Sequence, residues 1–422
     1  MLVPKFVFPV VIPASKNVIT GAPFTDSETD SPLLANFKEK AAGLKLADAE
    51  TEALITNAIA ALKISVKPAY EKLIAFLESQ EKVANTDDGV WKFPNGEAFY
   101  ANELKRYTTT NLTAAEIHQI GLDNVARIHG EMRTIMKTVK FEGNLQEFFA
   151  FMRDDKQFYY DTNEEGRAAY LAEATAAIEA IKVKIPEYFG LLPNAPVEVK
   201  RVEPFRERSS GKAFYQRPTP DGKRPGRFYA NLYDMAQMPK YQMEALAFHE
   251  GIPGHHMQIA ITQEHKGIPM FQKFTSFTAF TEGWGLYSEL LGKDMGFYTD
   301  PYSDFGRLAM ELWRACRLVV DTGLHYKRWT REDAIKYLGD NTPNPSDDNV
   351  NAINRYIVMP GQATAYMIGK IKILELREWA RSEMGTSFEI KDFHDAVLKN
   401  GPVPLNILEE NIHAWVKSTK SS

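Results

Sequence analysis

The chain has 422 residues, of which 44% are hydrophobic, and it carries a formal net charge of −5 with an isoelectric point near 6.1. This length is sufficient for a large hydrophobic core in one extended domain or two. The mildly acidic balance disfavours a nucleic-acid partner, because nucleic-acid-binding proteins usually carry a basic patch. The single cysteine, Cys316, excludes an internal disulfide.

The first residues, MLVPKFVFPVVIPASKN, are apolar but do not resemble a signal peptide. No charged region precedes them, and three prolines interrupt them. We therefore expect this chain to be the later part of a longer protein, and cytoplasmic if it is complete. No apolar run reaches the roughly 18 residues that suggest a membrane helix, so we predict no transmembrane segment.

Helical periodicity dominates the chain up to about residue 182. Apolar residues recur at helical spacing over 34–84, and an alanine-rich helix is expected over 167–182. Thr113 and Glu116 stand at capping-box spacing at the start of LTAAEIHQIGLDNVARIHGEM, which predicts a long helix. Between these segments, GVWKFPNGEAFY alternates around Asn95-Gly96, a pattern that predicts a hairpin.

From 196 to 232 the pattern changes to short strands separated by Gly, Pro and Asp. We predict a small antiparallel sheet there, with GRFYANL (226–232) as an edge strand to which an extended peptide substrate could hydrogen-bond. Helices resume near Met243 and continue to the end. The organisation predicted from these patterns is a single helix-rich domain over 1–422, with a metal-binding core over 243–290.

Three of the nine histidines fall within eight residues, HEGIPGHH, and Glu250 follows the first of them. Neutral imidazoles bind zinc, and an adjacent carboxylate can accept a proton from the attacking water. The common form of this site, H-E-x-x-H, places two histidines four residues apart on one helix face. Here Pro253 occupies the fourth position after His249, so the ligands must come together in another way.

Pro253 cannot continue a regular helix, and the glycines on either side of it permit a sharp change of direction. In an unbroken helix His256 would lie about 10.5 Å along the axis from His249, whereas two ligands of one zinc lie within about 3.5 Å of each other. We therefore expect a break that returns a later histidine to His249. We choose His255 because Gly254 immediately precedes it, and His256 stays open as the alternative second ligand.

A third ligand is expected from the helix predicted over FTEGWGLYSELL. Glu282 is the candidate, because a glutamate on a later helix completes a His-His-Glu set in known hydrolytic zinc sites. Glu289 lies two turns further on, where it could support a ligand or face solvent. The predicted metal ligands are thus His249, His255 and Glu282, with Zn²⁺ as the metal.

These segments resemble a known family. The chain is similar to the bacterial proteins catalogued as domain of unknown function 885, which are placed with gluzincin-type zinc peptidases. The resemblance rests above all on EALAFHEGIPGHHMQIAI and FTEGWGLYSE, with further matches in DGKRPGRFYANL and MPGQATAYMIGKIKI. It implies a mostly α, zincin-like (gluzincin) metallopeptidase fold, in proteins that are often exported or lipid-anchored. Members usually carry a further N-terminal helical region, which we do not find here.

Residues outside the motif could stabilise the oxyanion that forms during hydrolysis of an amide. His325 follows Asp321 by one helical turn, a spacing at which a carboxylate can orient an imidazole. Tyr366 follows Pro360-Gly361, which places its phenol near a helix N-terminus. We predict catalytic roles for His325 and Tyr366 beside Glu250, and Tyr356 stays a further candidate.

The function expected from the sequence is that of a zinc-dependent metallopeptidase that cleaves short extended peptides, with Glu250 as the general base. Two alternatives stay open: a non-catalytic binding protein on a peptidase scaffold, and a zinc amidase or esterase acting on other substrates. Arg314 and Arg317 could capture a terminal carboxylate, although a structural ion pair would explain each of them equally well.

Overall fold

The structure, a computed structural model, describes residues 2–204, 206–207 and 210–420. Positions 205, 208 and 209, inside the region predicted to form the sheet, lie outside the described residues, as do 1, 421 and 422. The described chain is mostly helical with one small sheet, as the sequence predicts. It contains no helix that is both long and apolar enough to cross a membrane.

The chain divides into two compact units, Met1–Asp88 and Gly89–Ser422, where the sequence analysis expected one domain. The first unit contains helices in the segment predicted as helical, and Phe8, Ile12 and Ile74 form its small buried cluster. Its helices are α1 (Phe8–Val18), α2 (Pro32–Gly43), α3 (Asp48–Ala61) and α4 (Lys67–Glu81), with a π-helical segment (Leu62–Val66) before α4.

The second unit carries the large hydrophobic core and the residues of the predicted site. Before the sheet, its helices are α5 (Gly96–Thr108), α6 (Ala114–Thr138), α7 (Leu145–Asp154), α8 (Glu164–Lys182) and α9 (Ile185–Tyr188). After the sheet come α10 (Met243–Glu250), α11 (His255–Glu264), α12 (Met270–Phe274), α13 (Thr278–Asp294), α14 (Pro301–His325), α15 (Arg331–Asn341), α16 (Ser346–Val358), α17 (Ala365–Met384), α18 (Ile390–Leu398) and α19 (Leu405–Lys420).

Local sequence signals explain several of these boundaries. The capping box predicted at the start of α6 is present: the Thr113 hydroxyl accepts from the Glu116 amide, and the Glu116 carboxylate accepts from the Thr113 amide. The hairpin predicted at Asn95-Gly96 is wrong, because α5 begins at Gly96. A Cβ on Gly96 would lie 2.0 Å from the carbonyl oxygen of Val90, so this glycine permits a close backbone approach instead of a turn between strands.

The sheet lies beside the helices of the predicted metal site, but its topology differs from the prediction. Strands β1 (Val197–Arg201), β2 (Ala213–Gln216) and β3 (Gly226–Ala230) are ordered β1-β3-β2. β3 pairs in parallel with β1 and antiparallel with β2, so the sheet is mixed. The prediction of GRFYANL as an edge strand is wrong, because β3 is hydrogen-bonded on both sides. It therefore cannot offer an edge to a peptide substrate.

The core of the second unit surrounds α10 and α13. Residues of both helices are almost wholly buried, including Phe248 on α10 and Trp284 and Tyr287 on α13. α10 packs against α8, α13 and α14, while α13 packs against α17. The side chains of the predicted metal site therefore stand on rigid helices inside the core, which fixes their directions more firmly than a surface loop would.

Candidate metal centre

The helix is interrupted between α10 and α11, at the position where we predicted a break from Pro253. α10 ends at Glu250, and α11 begins at His255 after a turn of four residues. Gly254 lies so close to the preceding helix that a Cβ on it would meet the His249 carbonyl oxygen at 1.9 Å. The indole of Trp284 donates to the carbonyl of Pro253 at 2.9 Å and holds the turn against α13. The break therefore depends on a glycine at position 254.

The break brings His255 next to His249, and Glu282 on α13 faces both. The two imidazole centroids are 4.7 Å apart. Nε2 of His249 and Nε2 of His255 each lie 3.5 Å from Oε2 of Glu282. One ligand atom from each residue can be chosen so that all three lie within 4.8 Å of one another. The predicted grouping of these three side chains is confirmed.

Glu289, two turns after Glu282 on α13, orients the first histidine. Its Oε1 lies 2.8 Å from Nδ1 of His249, and the side chain is 2% exposed. A carboxylate that accepts from the outer nitrogen of a histidine fixes the ring and leaves Nε2 free for a metal. From the sequence, Glu289 could either support a ligand or face solvent. Its burial identifies it as a supporting residue.

Gly285, between these two glutamates on α13, leaves the space that the His249 ring occupies. A Cβ at this position would lie 2.7 Å from Cε1 and 2.8 Å from Nε2 of the ring. Those distances are shorter than real Cβ contacts, so any side chain here would displace the imidazole. The glycine in EGWGLY is therefore required by the position of His249.

His256 points away from the other two histidines. Its Nε2 donates to the carbonyl of Ala195 at 2.9 Å, and its Nδ1 lies 2.9 Å from the Tyr215 hydroxyl. Because a carbonyl can only accept, Nε2 carries the proton and Nδ1 accepts from the phenol. Both ring nitrogens are occupied, and burial lowers the pKa of His256 to about 4. His256 therefore joins α11 to the sheet and is not the second ligand in this arrangement.

Glu250 is buried beside the cluster with a carboxylate oxygen that has no hydrogen-bond partner among the described residues. Burial raises the pKa of Glu250, and the two neighbouring histidines only partly oppose this effect. Buried carboxylates normally have partners, and each exception calls for an explanation. A raised pKa and an oxygen without a partner suit a group that accepts and donates protons.

The protonation of the cluster follows from its charges. Burial lowers the pKa of His249, but hydrogen bonds with Glu282 and Glu289 outweigh this effect and raise it to about 9. Burial raises the pKa of Glu282, whereas the two histidines bring it well below its usual range. Without a metal, the His249 imidazole is therefore protonated between the Glu282 and Glu289 carboxylates. A divalent cation bound by the cluster would take the place of that proton.

The donor set fits zinc. Ligands bonded to zinc at 2.0–2.2 Å in tetrahedral directions lie about 3.4 Å from one another, close to the 3.5 Å between Glu282 and each histidine. Two imidazoles and one carboxylate form a known catalytic set that leaves the fourth position open. His249, His255 and Glu282 are thus the residues that would hold the metal, and Glu289 would orient the first of them.

The cluster opens into a cavity of about 460 Å³ that also reaches Glu250, Tyr366 and edge strand β2. Tyr366 lies on the first turn of α17, as predicted, and its ring contacts the guanidinium of Arg317 at 4.5 Å. Of the predicted site residues, the structure brings His249, Glu250, His255, Glu282 and Tyr366 to this one cavity.

His325 lies elsewhere, and the catalytic role predicted for it does not fit the structure. Its Nε2 donates to the carbonyl of Tyr356 at 3.0 Å, while its Nδ1 accepts from the Val90 amide at 3.3 Å. It lines a different cavity. The expected pairing with Asp321 is also absent, because that carboxylate accepts from the hydroxyl of Tyr100 at 2.6 Å. Helical spacing placed the two residues on one face, but their partners come from other elements.

Several cavity residues were not identified from the sequence as site residues. Tyr215 reaches the cavity from β2 and Lys212 from the residue before this strand, and Trp313 and Asn344 also line it. No motif marked them, because each is brought to the cavity by packing between distant segments. Tyr356, the remaining oxyanion candidate, is buried and its hydroxyl has no partner among the described residues.

The chain was compared with known families, curated proteins and solved structures. The family described as "Bacterial protein of unknown function (DUF885)" matches residues 1–412. None of the curated proteins matches the chain. A "putative lipoprotein" from Colwellia psychrerythraea is 36% identical, with a TM-score of 0.93 over 99% of this chain and 71% of that one.

A second solved structure, described as a "putative lipoprotein of unknown function" from Shewanella oneidensis, is 18% identical. Its TM-score is 0.72 over 96% of this chain and 73% of that one. Because the identity is only 18%, this similarity supports the fold alone. The family match extends over nearly the whole chain and includes His249, His255 and Glu282. The chain belongs to the DUF885 family.

Proposed function

We propose that this protein is a zinc-dependent hydrolase of the gluzincin type and that its substrates are peptides. The observation that carries the proposal is the buried Glu250 carboxylate, whose Oε2 has no partner among the described residues, beside a His-His-Glu set in an open cavity. A structural zinc site is usually closed by four protein ligands. Here the candidate for a fourth ligand, His256, is hydrogen-bonded to other groups.

The chemistry assigned to each residue follows from its position. Zinc, when bound, supplies a Lewis acid that lowers the pKa of water and polarises a carbonyl group. Glu250 accepts the proton of the attacking water and then donates it to the leaving amine. Tyr366 is the residue in the cavity whose phenol can donate a hydrogen bond to the oxyanion.

Peptides are favoured over other amides because of the edge strand beside the cluster. β2 pairs with β3 on one side, and within the described residues no strand pairs with its other side. Ala213, Phe214 and Tyr215 of this strand line the cavity. An extended peptide that added to this edge would hydrogen-bond through its main chain and lie along the cavity. β2 thus replaces β3 as the proposed peptide-binding strand.

The test combines metal analysis with a digest of a peptide library, read by mass spectrometry. Protein purified with zinc should contain about one zinc per chain, and Glu250→Gln should lower kcat at least 10²-fold while the zinc content stays the same. Glu244→Gln is the matched control, since Glu244 lies on the same helix but lines a different cavity. Full activity in Glu250→Gln, or no zinc in the wild type, would refute the proposal.

A further inference from the structure

Two arginines one turn apart on α14 enter the cavity of the metal cluster. Arg314 is 7% exposed and Arg317 is 5% exposed, yet both line the cavity. A buried guanidinium is always charged, and removing it from water costs several kcal/mol unless a partner compensates. The partners of these two side chains therefore indicate what each of them does.

The two arginines differ in their partners. Arg314 donates to the carbonyl of Met310 at 3.1 Å and lies 3.9 Å from the Glu289 carboxylate, so it belongs to the support of His249, although its Nε has no hydrogen-bond partner among the described residues. Arg317 has no carboxylate within 4.0 Å among the described residues, although Glu282 attracts it from further away, and both its Nε and its Nη1 have no hydrogen-bond partner there. The sequence allowed a structural ion pair for either arginine. Among the described residues, the structure shows one for Arg314 alone.

Aromatic rings hold the Arg317 guanidinium in place. Its central carbon lies 4.5 Å from the ring centroid of Trp313 and 4.5 Å from that of Tyr366. Contact with aromatic faces supports a cation without using its N–H groups. The Tyr356 phenol also interacts with this guanidinium. The side chain is thus fixed by packing, while its Nε and Nη1 stay available to a ligand.

Other donors along the same cavity also lack acceptors. The indole Nε1 of Trp313 and the amide Nδ2 of Asn344 are both buried without a partner in the described chain. Buried donors without acceptors are rare in folded proteins. Trp313 contacts Arg317, and all three residues line the same cavity. The cavity lining is therefore complementary to a group that only accepts hydrogen bonds and carries negative charge.

We propose that Arg317 binds a carboxylate of the substrate, in a subsite of the same cavity as the metal cluster. The assignment rests on the proposed function, since it takes the bound molecule to be the peptide that is cleaved. A carboxylate matches the guanidinium fork in a two-bond geometry. It has two sources in a peptide, the free C-terminus and an Asp or Glu side chain, and the first would make the enzyme act near chain ends.

The test measures binding directly, on zinc-loaded Glu250→Gln protein by calorimetry. Three acetylated alanine peptides of equal length are compared: a free acid, its C-terminal amide, and an amide with one glutamate. The free acid should bind about 10- to 100-fold more tightly than the plain amide, the range expected for hydrogen bonds to a charged group. Tight binding of the glutamate-bearing amide would assign the subsite to a side chain, and weak binding would assign it to the C-terminus.

Substitutions at Arg317 complete the test. In the Glu250→Gln background, Arg317→Gln should abolish the preference for the acid. Arg317→Lys keeps the charge but loses the planar guanidinium, and it should reduce the preference; it serves as the test if Arg317→Gln folds poorly. Arg217→Gln is the control for general positive charge, because Arg217 lines the same cavity but contacts Phe274 instead. It should keep the preference.

The outcomes separate this inference from the proposed function. Equal binding of all three peptides, or a preference for a carboxylate-bearing peptide that survives Arg317→Gln, overturns the carboxylate subsite even if the wild type cleaves peptides. If the wild type cleaves no peptide but binds acids in a manner that depends on Arg317, the subsite stands and the hydrolase proposal fails.

Discussion

Replacing Gly285 with alanine tests the proposed metal centre without changing any ligand. The new Cβ would lie 2.7 Å from Cε1 of His249, whereas ordinary contact begins at 3.4 Å. The ring must therefore retreat by about 0.7 Å (3.4 − 2.7). Metal–ligand bonds tolerate only about 0.2 Å, so we expect zinc affinity to fall at least tenfold, or by at least about 1.4 kcal/mol.

The assay is a competition titration of zinc against a chelator, with thermal melting of the metal-free protein in parallel. Gly130→Ala is the matched control: Gly130 lies inside α6, and a Cβ there would meet nothing within 4 Å. Alanine in an exposed helix interior stabilises by about 1 kcal/mol relative to glycine, so the control should melt slightly higher and bind zinc normally. If Gly285→Ala bound zinc as tightly as the wild type, the assigned position of His249 in the centre would be wrong.

Two further substitutions test residues beside the cluster, and a third tests the buried Asp321. Glu289→Gln should weaken zinc binding about 10- to 100-fold, because the orienting carboxylate of His249 is lost; unchanged affinity in the chelator titration would contradict that role. His256→Phe should keep the zinc content and lower the melting temperature, since two buried hydrogen bonds disappear; loss of zinc with the fold intact would identify it as a ligand. Burial raises the pKa of Asp321 to about 7, and its hydrogen bonds with Tyr100 and Gly361 only partly oppose this. Its contribution to stability is therefore largest below about pH 4 and decreases as the pH rises towards 7, by an amount of the order of 4 kcal/mol. Asp321→Asn should remove this decrease in urea unfolding at pH 5 and pH 8, and an identical pH dependence in the variant would show that the carboxylate is ionised throughout.

The parts of the site that the sequence predicted are those set by local rules. Pro253 and Gly254 dictate a break immediately after His249, and this break determines which histidine returns to it. The capping box at Thr113 and Glu116 is likewise complete within four residues. In both cases the signal and its consequence lie close together in the chain. Glu282 lies further along, on α13, and was predicted because the two histidines needed a third ligand from a later helix.

Apart from the hairpin at Asn95-Gly96, which was replaced by the start of α5, the predictions that were wrong concern pairing between distant segments. GRFYANL alternates as an edge strand does, but β1 and β2 arrive from elsewhere in the chain and cover both of its sides. His325 and Asp321 share a helix face, yet their hydrogen bonds go to other segments. The sequence left Arg317 open between carboxylate binding and a structural ion pair, because the choice depends on which carboxylates lie around it in the fold. Such features require the tertiary structure.

The hydrogen bonds of His256 have a mechanical consequence for the cavity. One bond reaches Tyr215 on the edge strand β2, the other reaches the segment before β1, and the preceding residue in the chain is the proposed ligand His255. The wall that would receive a substrate and the helix that would hold the metal are thus fastened together by one imidazole. A displacement of β2 on filling the cavity would be transmitted to a metal ligand across a single peptide bond.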